Sequence, residues 1–208
     1  MEVLQKAFGR YETNCYILKN AYGDFIIDPG ENSTSWVLEN INNPLAILNT
    51  HGHFDHIWCN AELKENLNIP LLCPKEDSFM LKSDCFELGL SPKAPDIEVE
   101  NNEVFYFNAK GLVDSSISDS IKVEYMFFPG HTPGCSMIKI GDFIFSGDFI
   151  FKRSIGRSDF PYSSDDLMQD SLRRFGEIPY DMVLYPGHGE STTIKAEQSN
   201  LRFFLKLK

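Results

Sequence analysis

The chain has 208 residues, 42% of them apolar and 13% aromatic, and a formal net charge of −11 at pH 7. That composition supplies a sizeable core, and the acidic balance excludes a nucleic-acid backbone as partner, because phosphate binding needs a positive field. No Lys/Arg run exceeds two residues, and no apolar run approaches the roughly 20 residues of a membrane span.

Residues 1–6 have neither a basic n-region nor an apolar h-region, so no secretory leader is expected. Residues 13–18 and 24–28 read as strands joined by a hairpin turn at 20–23, with Asp28-Pro29-Gly30 ending the second. A helix is expected over 33–40. The apolar run 44–48 reads as a buried strand, and it delivers Thr50-His51-Gly52-His53-Phe54-Asp55-His56. Three imidazoles and a carboxylate within six residues cannot all face an apolar core. They are nitrogen and oxygen donors suited to zinc, iron or manganese. A helical pattern follows from about 55 to 65, then a strand at 69–73 and a helix at 75–81.

The stretch 82–122 is the least legible, with a surface loop at 83–90 that could serve as a lid, a strand at 103–107 and a polar turn at 115–120. A strand at 123–128 ends in Pro129-Gly130-His131-Thr132-Pro133-Gly134, and a hairpin follows at 136–140 and 143–146 around Gly141-Asp142. Its second strand runs into Gly147-Asp148. A helix at 165–175, a strand at 182–185 ending near Gly187-His188, and a helix at 193–205 complete the chain. The five cysteines, Cys15, Cys59, Cys73, Cys85 and Cys135, are odd in number, scattered and without C-x-x-C, which suits a reducing cytoplasm and no disulfide framework, and Cys59, Cys73 and Cys135 read as core residues. Four apolar strands thus end at His51, His131, Asp148 and His188, and one sheet edge would collect them. The layout suggests an α/β sandwich with outer helices in a single domain over 1–208.

The T-H-x-H-x-D-H element, with Pro129-Gly130-His131, Gly147-Asp148 and Gly187-His188 in order behind it, resembles the metallo-β-lactamase-fold hydrolases, most of all the short glyoxalase II-like group. The resemblance implies a four-layer αββα sandwich of two mixed sheets with a dinuclear site at one edge. It assigns His51, His53 and His131 to one metal, Asp55, His56 and His188 to the second, and Asp148 to the bridge, with Asp55 and Asp148 as the catalytic carboxylates. Two divalent ions are implied, zinc first, with iron or manganese as alternatives. They would lower the pKa of a shared water and leave hydroxide to attack a thioester of the S-2-hydroxyacylglutathione type.

Zinc β-lactamases of the commonest class carry Cys where Asp148 stands, and flavodiiron reductases carry Glu where His53 stands. Arg153 and Arg157, in a loop beside the site, are candidates for a substrate carboxylate or for surface ion pairs. Full-length glyoxalase II enzymes add a C-terminal helical segment and a tyrosine soon after the last histidine ligand. Here Gly189-Glu190-Ser191-Thr192 follows and the chain ends at Lys208, so weaker discrimination for the thiol is expected. Two alternatives share these residues. One is a mononuclear iron persulfide dioxygenase using the positions of His51, His131 and Asp148, and the other is a non-catalytic metal-binding protein. The expected partner is a small-molecule thioester, without nucleic acid or membrane.

Overall fold

A computed structural model describes residues 1–206. The first half of the chain builds one sheet. β1 (Glu2–Phe8), β2 (Thr13–Lys19) and β3 (Asp24–Ile27) form an antiparallel meander, and α1 (Thr34–Asn40) follows. β4 (Pro44–Leu48) pairs parallel to β3. Helices α2 (Phe54–Ile57) and α3 (Asn60–Leu67) lead to β5 (Leu71–Pro74), and α4 (Ser78–Lys82) leads to β6 (Ile97–Val99). The six strands lie in chain order, the last four parallel.

The second half builds another sheet from β7 (Val104–Asn108), β8 (Gly111–Val113), β9 (Ile121–Phe127), β10 (Ser136–Ile140) and β11 (Phe143–Gly147). A small hairpin, β12 (Ile150–Phe151) and β13 (Ser154–Ile155), interrupts it. α5 (Asp165–Gly176), β14 (Val183–Pro186), β15 (Thr192–Thr193) and α6 (Ile194–Gln198) follow. The order is β15-β14-β11-β10-β9-β7-β8, and β11/β14 is the one parallel pair, joined through α5.

Side-chain alternation sets the layers. Along β2 to β4, Tyr16, Leu18, Phe25, Ile27, Ala46 and Leu48 enter a core shared with Phe107, Tyr125, Ile138 and Phe145 of the second sheet. Their neighbours Cys15, Ile26 and Ile47 turn outward, under Val37 of α1 and Leu63 of α3. That is the two-residue period of a pleated strand buried on both faces. On the other outer face Met168, Leu172 and Phe175 of α5 pack on Met137, Ile144 and Leu184. Ser164 caps α5 by accepting from the Leu167 N–H, Asp165 and Asp166 stand in its first turn, and Arg173 and Arg174 in its last, all favourable to the helix dipole. The result is the four-layer αββα sandwich expected.

Several elements depart from expectation, among them the short strands β6, β8, β12, β13 and β15, none of which was expected. The helix at 55–65 is two helices, because the Cys59 N–H leaves the ladder for the Pro29 carbonyl oxygen (3.0 Å). The closing helix stops at Gln198, where the Ser199 hydroxyl donates back to the Lys195 carbonyl oxygen (2.9 Å), and a 3-10 turn at Leu201–Phe203 follows. β1 was not expected, since an edge strand with exposed Gln5 and Lys6 carries little apolar alternation, yet it pairs with β2 over seven residues. Among the described residues no helix is long and apolar enough to cross a membrane. All five cysteines are free.

Candidate metal centre

Turns from both sheets meet at one rim. The turn after β4 brings His51 and His53, and α2 brings Asp55 and His56. The turns after β9, β11 and β14 bring His131, Asp148 and His188. All seven sequence-predicted ligand positions gather there. His51, His53 and His131 offer ligand atoms within 4.8 Å of one another, and so do Asp55, His56 and His188. Asp148 lies between the two triads. Its Oδ1 is 3.3 Å from His56 Nε2, and its Oδ2 is 3.4 Å from both His131 Nε2 and His188 Nε2.

These atoms fit metal ions on a direct test. His51 Nε2, His56 Nε2, His131 Nε2 and Asp148 Oδ1 are buried without a hydrogen-bond partner, which a folded protein rarely tolerates. The opposite ring nitrogens are engaged. His131 Nδ1 donates to the Arg157 carbonyl oxygen (2.8 Å), His188 Nδ1 to the Tyr11 carbonyl oxygen (2.9 Å) and His56 Nδ1 to Asp28 Oδ2 (3.1 Å). Those partners accept, so each Nδ1 carries a proton and each Nε2 is the ring atom turned to the centre. His51 Nδ1 lies 3.0 Å from Thr50 Oγ1, which itself donates to Asp28 Oδ2 (2.6 Å).

Electrostatics divides the triads. Burial and neighbouring imidazoles push His51 and His53 well below the ordinary imidazole value. Burial also opposes charge on His56 and His188, but the carboxylates beside them outweigh it, Asp148 first, and both are raised. Burial would raise Asp148, yet His56, His131 and His188 hold it well below the usual carboxylate range.

Sequence reasoning missed the residues that hold this arrangement. Asp28, in a left-handed conformation at φ +50°, grips both Thr50 and His56. Its one signal was an acid at a strand end, the same position the histidines occupy. Thr13 Oγ1 donates to Asp55 Oδ2 (2.6 Å). Asp77, fully buried, accepts from the Gly52 N–H (2.9 Å), the Thr132 hydroxyl (2.6 Å) and the Gly134 N–H (2.6 Å), so it ties the His51–His53 turn to the His131 turn. Burial pushes its carboxyl up to about 6. Gly187 is required by space, since a Cβ there would stand 2.0 Å from Asp148 Oδ1 and 2.6 Å from His56 Cε1.

A cavity of about 560 Å³ opens over the centre, with His53, Asp55, His131, Asp148 and His188 in its floor and aromatic rings in its walls. Arg157 lines it, but its guanidinium is paired in a fork with Asp159, Nε and Nη2 each at 2.8 Å, and lies 4.2 Å from the Phe160 ring centroid. Arg153 sits in the β12–β13 turn at φ +60° and is not among the lining residues.

Known proteins resemble this chain in sequence and architecture. The model of the metallo-beta-lactamase superfamily matches residues 8–188. The hydroxyacylglutathione hydrolase GloC of Haemophilus influenzae is 30% identical over 208 residues, covering 93% of each chain. Among solved structures, the BLEG-1 B3 metallo-beta-lactamase superposes with a TM-score of 0.81 at 27% identity, covering 97% of this chain and 99% of that one. TTHA1623 in a di-iron-bound form gives 0.73 at 29% identity, covering 96% and 99%.

Proposed function

The chain belongs to the metallo-β-lactamase superfamily, and from that premise we propose a metal-dependent hydrolase that cleaves thioesters of the S-2-hydroxyacylglutathione type. One observation carries the reading: two triads of donor atoms flank a single carboxylate, with buried, unpartnered atoms on both sides. The relation to GloC supports the thioester, and the Asp at 148 fits a two-ion hydrolase.

His51, His53 and His131 would hold one ion, Asp55, His56 and His188 the other, and Asp148 both. Two divalent ions there, zinc first and iron or manganese otherwise, would supply a nucleophilic water at neutral pH and polarise a carbonyl. The chain's own groups do the rest. Asp28 and the Arg157 and Tyr11 carbonyl oxygens fix the imidazole tautomers. Thr13 orients Asp55. Asp148 would hold both ions, and Asp55, the other carboxylate lining the cavity, would hold the second ion and stand beside the reacting centre as the proton acceptor. The aromatic walls keep bulk water from the reacting carbonyl.

The test uses protein loaded separately with zinc, manganese and iron. Each form is given S-lactoylglutathione in a thiol-release assay, glutathione persulfide in an oxygen electrode, and a chromogenic β-lactam. Thiol release is expected. His188→Ala should lose one ion and more rate than the roughly 10–100-fold typical of an outer-sphere partner. Oxygen uptake by the iron form, with no thiol released by any form, would establish the dioxygenase instead.

A further inference from the structure

We propose that, within the thioester class, the preferred substrate carries an apolar, uncharged group, aromatic or long aliphatic, next to the thioester, and that glutathione thioesters are turned over without specific recognition of the charged peptide. This rests on the hydrolase reading only in placing the thioester carbonyl at the ligand cluster.

The walls carry the argument. Five rings from five separate segments stand around the ligands: Tyr11, Phe54, Phe86, Phe151 and Phe160. Tyr11 and Phe54 meet at 5.3 Å between centroids, and Phe86 is 6.0 Å from both Phe54 and His53. Phe160 is 5.9 Å from His53 and 6.0 Å from His131, and Phe151 is 5.9 Å from His188. Whatever reaches the floor must therefore pass rings packed edge-on against the ligands. A substituent there leaves water for carbon surface on nearly every side.

Charge makes the complementary case. Glutathione presents two carboxylates, and a site that recognises them supplies cations. Histidines apart, Arg157 is the one basic residue lining the cavity among the described residues. Its Nε and Nη2 are held by Asp159, whose carboxylate offsets its charge toward a second anion, and one face of its plane rests on Phe160. In that position the guanidinium extends the Phe160 wall rather than offering an anion site.

The experiment uses the full chain loaded with zinc. Four thioesters are compared by kcat/KM: the acetyl and phenylacetyl esters of N-acetylcysteamine, the acetyl ester of benzyl mercaptan, and the phenylacetyl ester of glutathione. Binding of the matching thioethers, with CH₂ in place of the carbonyl, is measured by calorimetry. A phenylacetyl or benzyl group should raise kcat/KM by about 100-fold over the small neutral ester, within the range one apolar contact can discriminate. The two arms tell whether the apolar group sits on the acyl or the thiol side. Phe160→Ala, at an exposed ring, should erase most of that gain and lower kcat/KM for the phenylacetyl or benzyl ester at least about tenfold more than for the acetyl ester of N-acetylcysteamine. A gain below about tenfold on both arms, or a preference of about tenfold or more for glutathione over N-acetylcysteamine, overturns the proposal. If no ester is cleaved yet the thioethers bind in the expected order, the hydrolase reading fails and the apolar class stands. A binding order favouring glutathione overturns the class itself.

Discussion

His51 and His56 face one centre from neighbouring turns, with ring centroids 4.1 Å apart, yet they differ in charge. His51 and His53 are depressed, so at neutral pH they already carry free lone pairs. His56 and His188 are raised by their carboxylates, so an ion entering that triad must displace protons. Uptake of the first ion, with two depressed imidazoles in its triad, should therefore depend on pH less than uptake of the second. Uptake of the second should strengthen with pH, by about tenfold per unit for each proton displaced. Competition with a chromophoric chelator measures the affinities, and calorimetry in buffers of different ionisation enthalpy measures the protons. Equal pH dependence at both sites would sink this division. Asp77 gives a second prediction. Its folded value of about 6 lies above the ordinary 3.8, so its stabilising contribution is present below about pH 4 and is lost as pH rises through 6. The ionised group then costs about 3 kcal/mol at neutral pH in chelated protein. Asp77→Asn should flatten that slope between pH 4 and 6 in chemical denaturation. It should also weaken the first site by about tenfold, because an amide offers one acceptor where the carboxylate meets three donors.

A single helical turn, α2, aims Asp55 and His56, and its brevity follows from the Cys59 N–H bonding to Pro29. The apolar positions at 57, 58, 61 and 63 read as one continuous helix, because periodicity registers which faces are apolar and is blind to a carbonyl supplied from another strand. The ligand turns were legible for the opposite reason, since clustered His and Asp after apolar runs have no use in a core. Asp28 and Asp77 were not, because a lone acid looks the same whether it is solvated or buried under three donors. Nor were the cavity rings, which come from segments far apart in the chain and look like ordinary core residues. Glycine again separates contact from conformation. Gly187→Ala drives a methyl into Asp148 and His56 and should abolish loading of the second triad. Gly189→Ala meets open space at φ +75°, so it should lower stability by about 1 kcal/mol and leave metal content intact. Elemental analysis of both variants distinguishes steric from backbone effects, and equal metal loss in the two would refute the assignment.

Each triad takes two ligands from the first sheet's turns and one from the second's. Ions bound there therefore stabilise the whole molecule rather than a loop. At a free-ion concentration 1,000 times the dissociation constant, binding adds about 4 kcal/mol. For a chain of this size that is a shift of about 10 °C in Tm between loaded and chelated protein. An unchanged Tm would mean the ions do not join the sheets. The sandwich then works like a book closed by a clasp. The rim that holds the turns at Thr50, Gly147 and Gly187 would be fastened by metal, while the tight hairpin between Ile140 and Phe143 is held by backbone pairing and core packing. Amide hydrogen exchange should report that polarity. Removing metal should speed exchange steeply at the fastened rim and hardly at the spine, so the loss of a cofactor would be felt first as an opening of the protein along one edge.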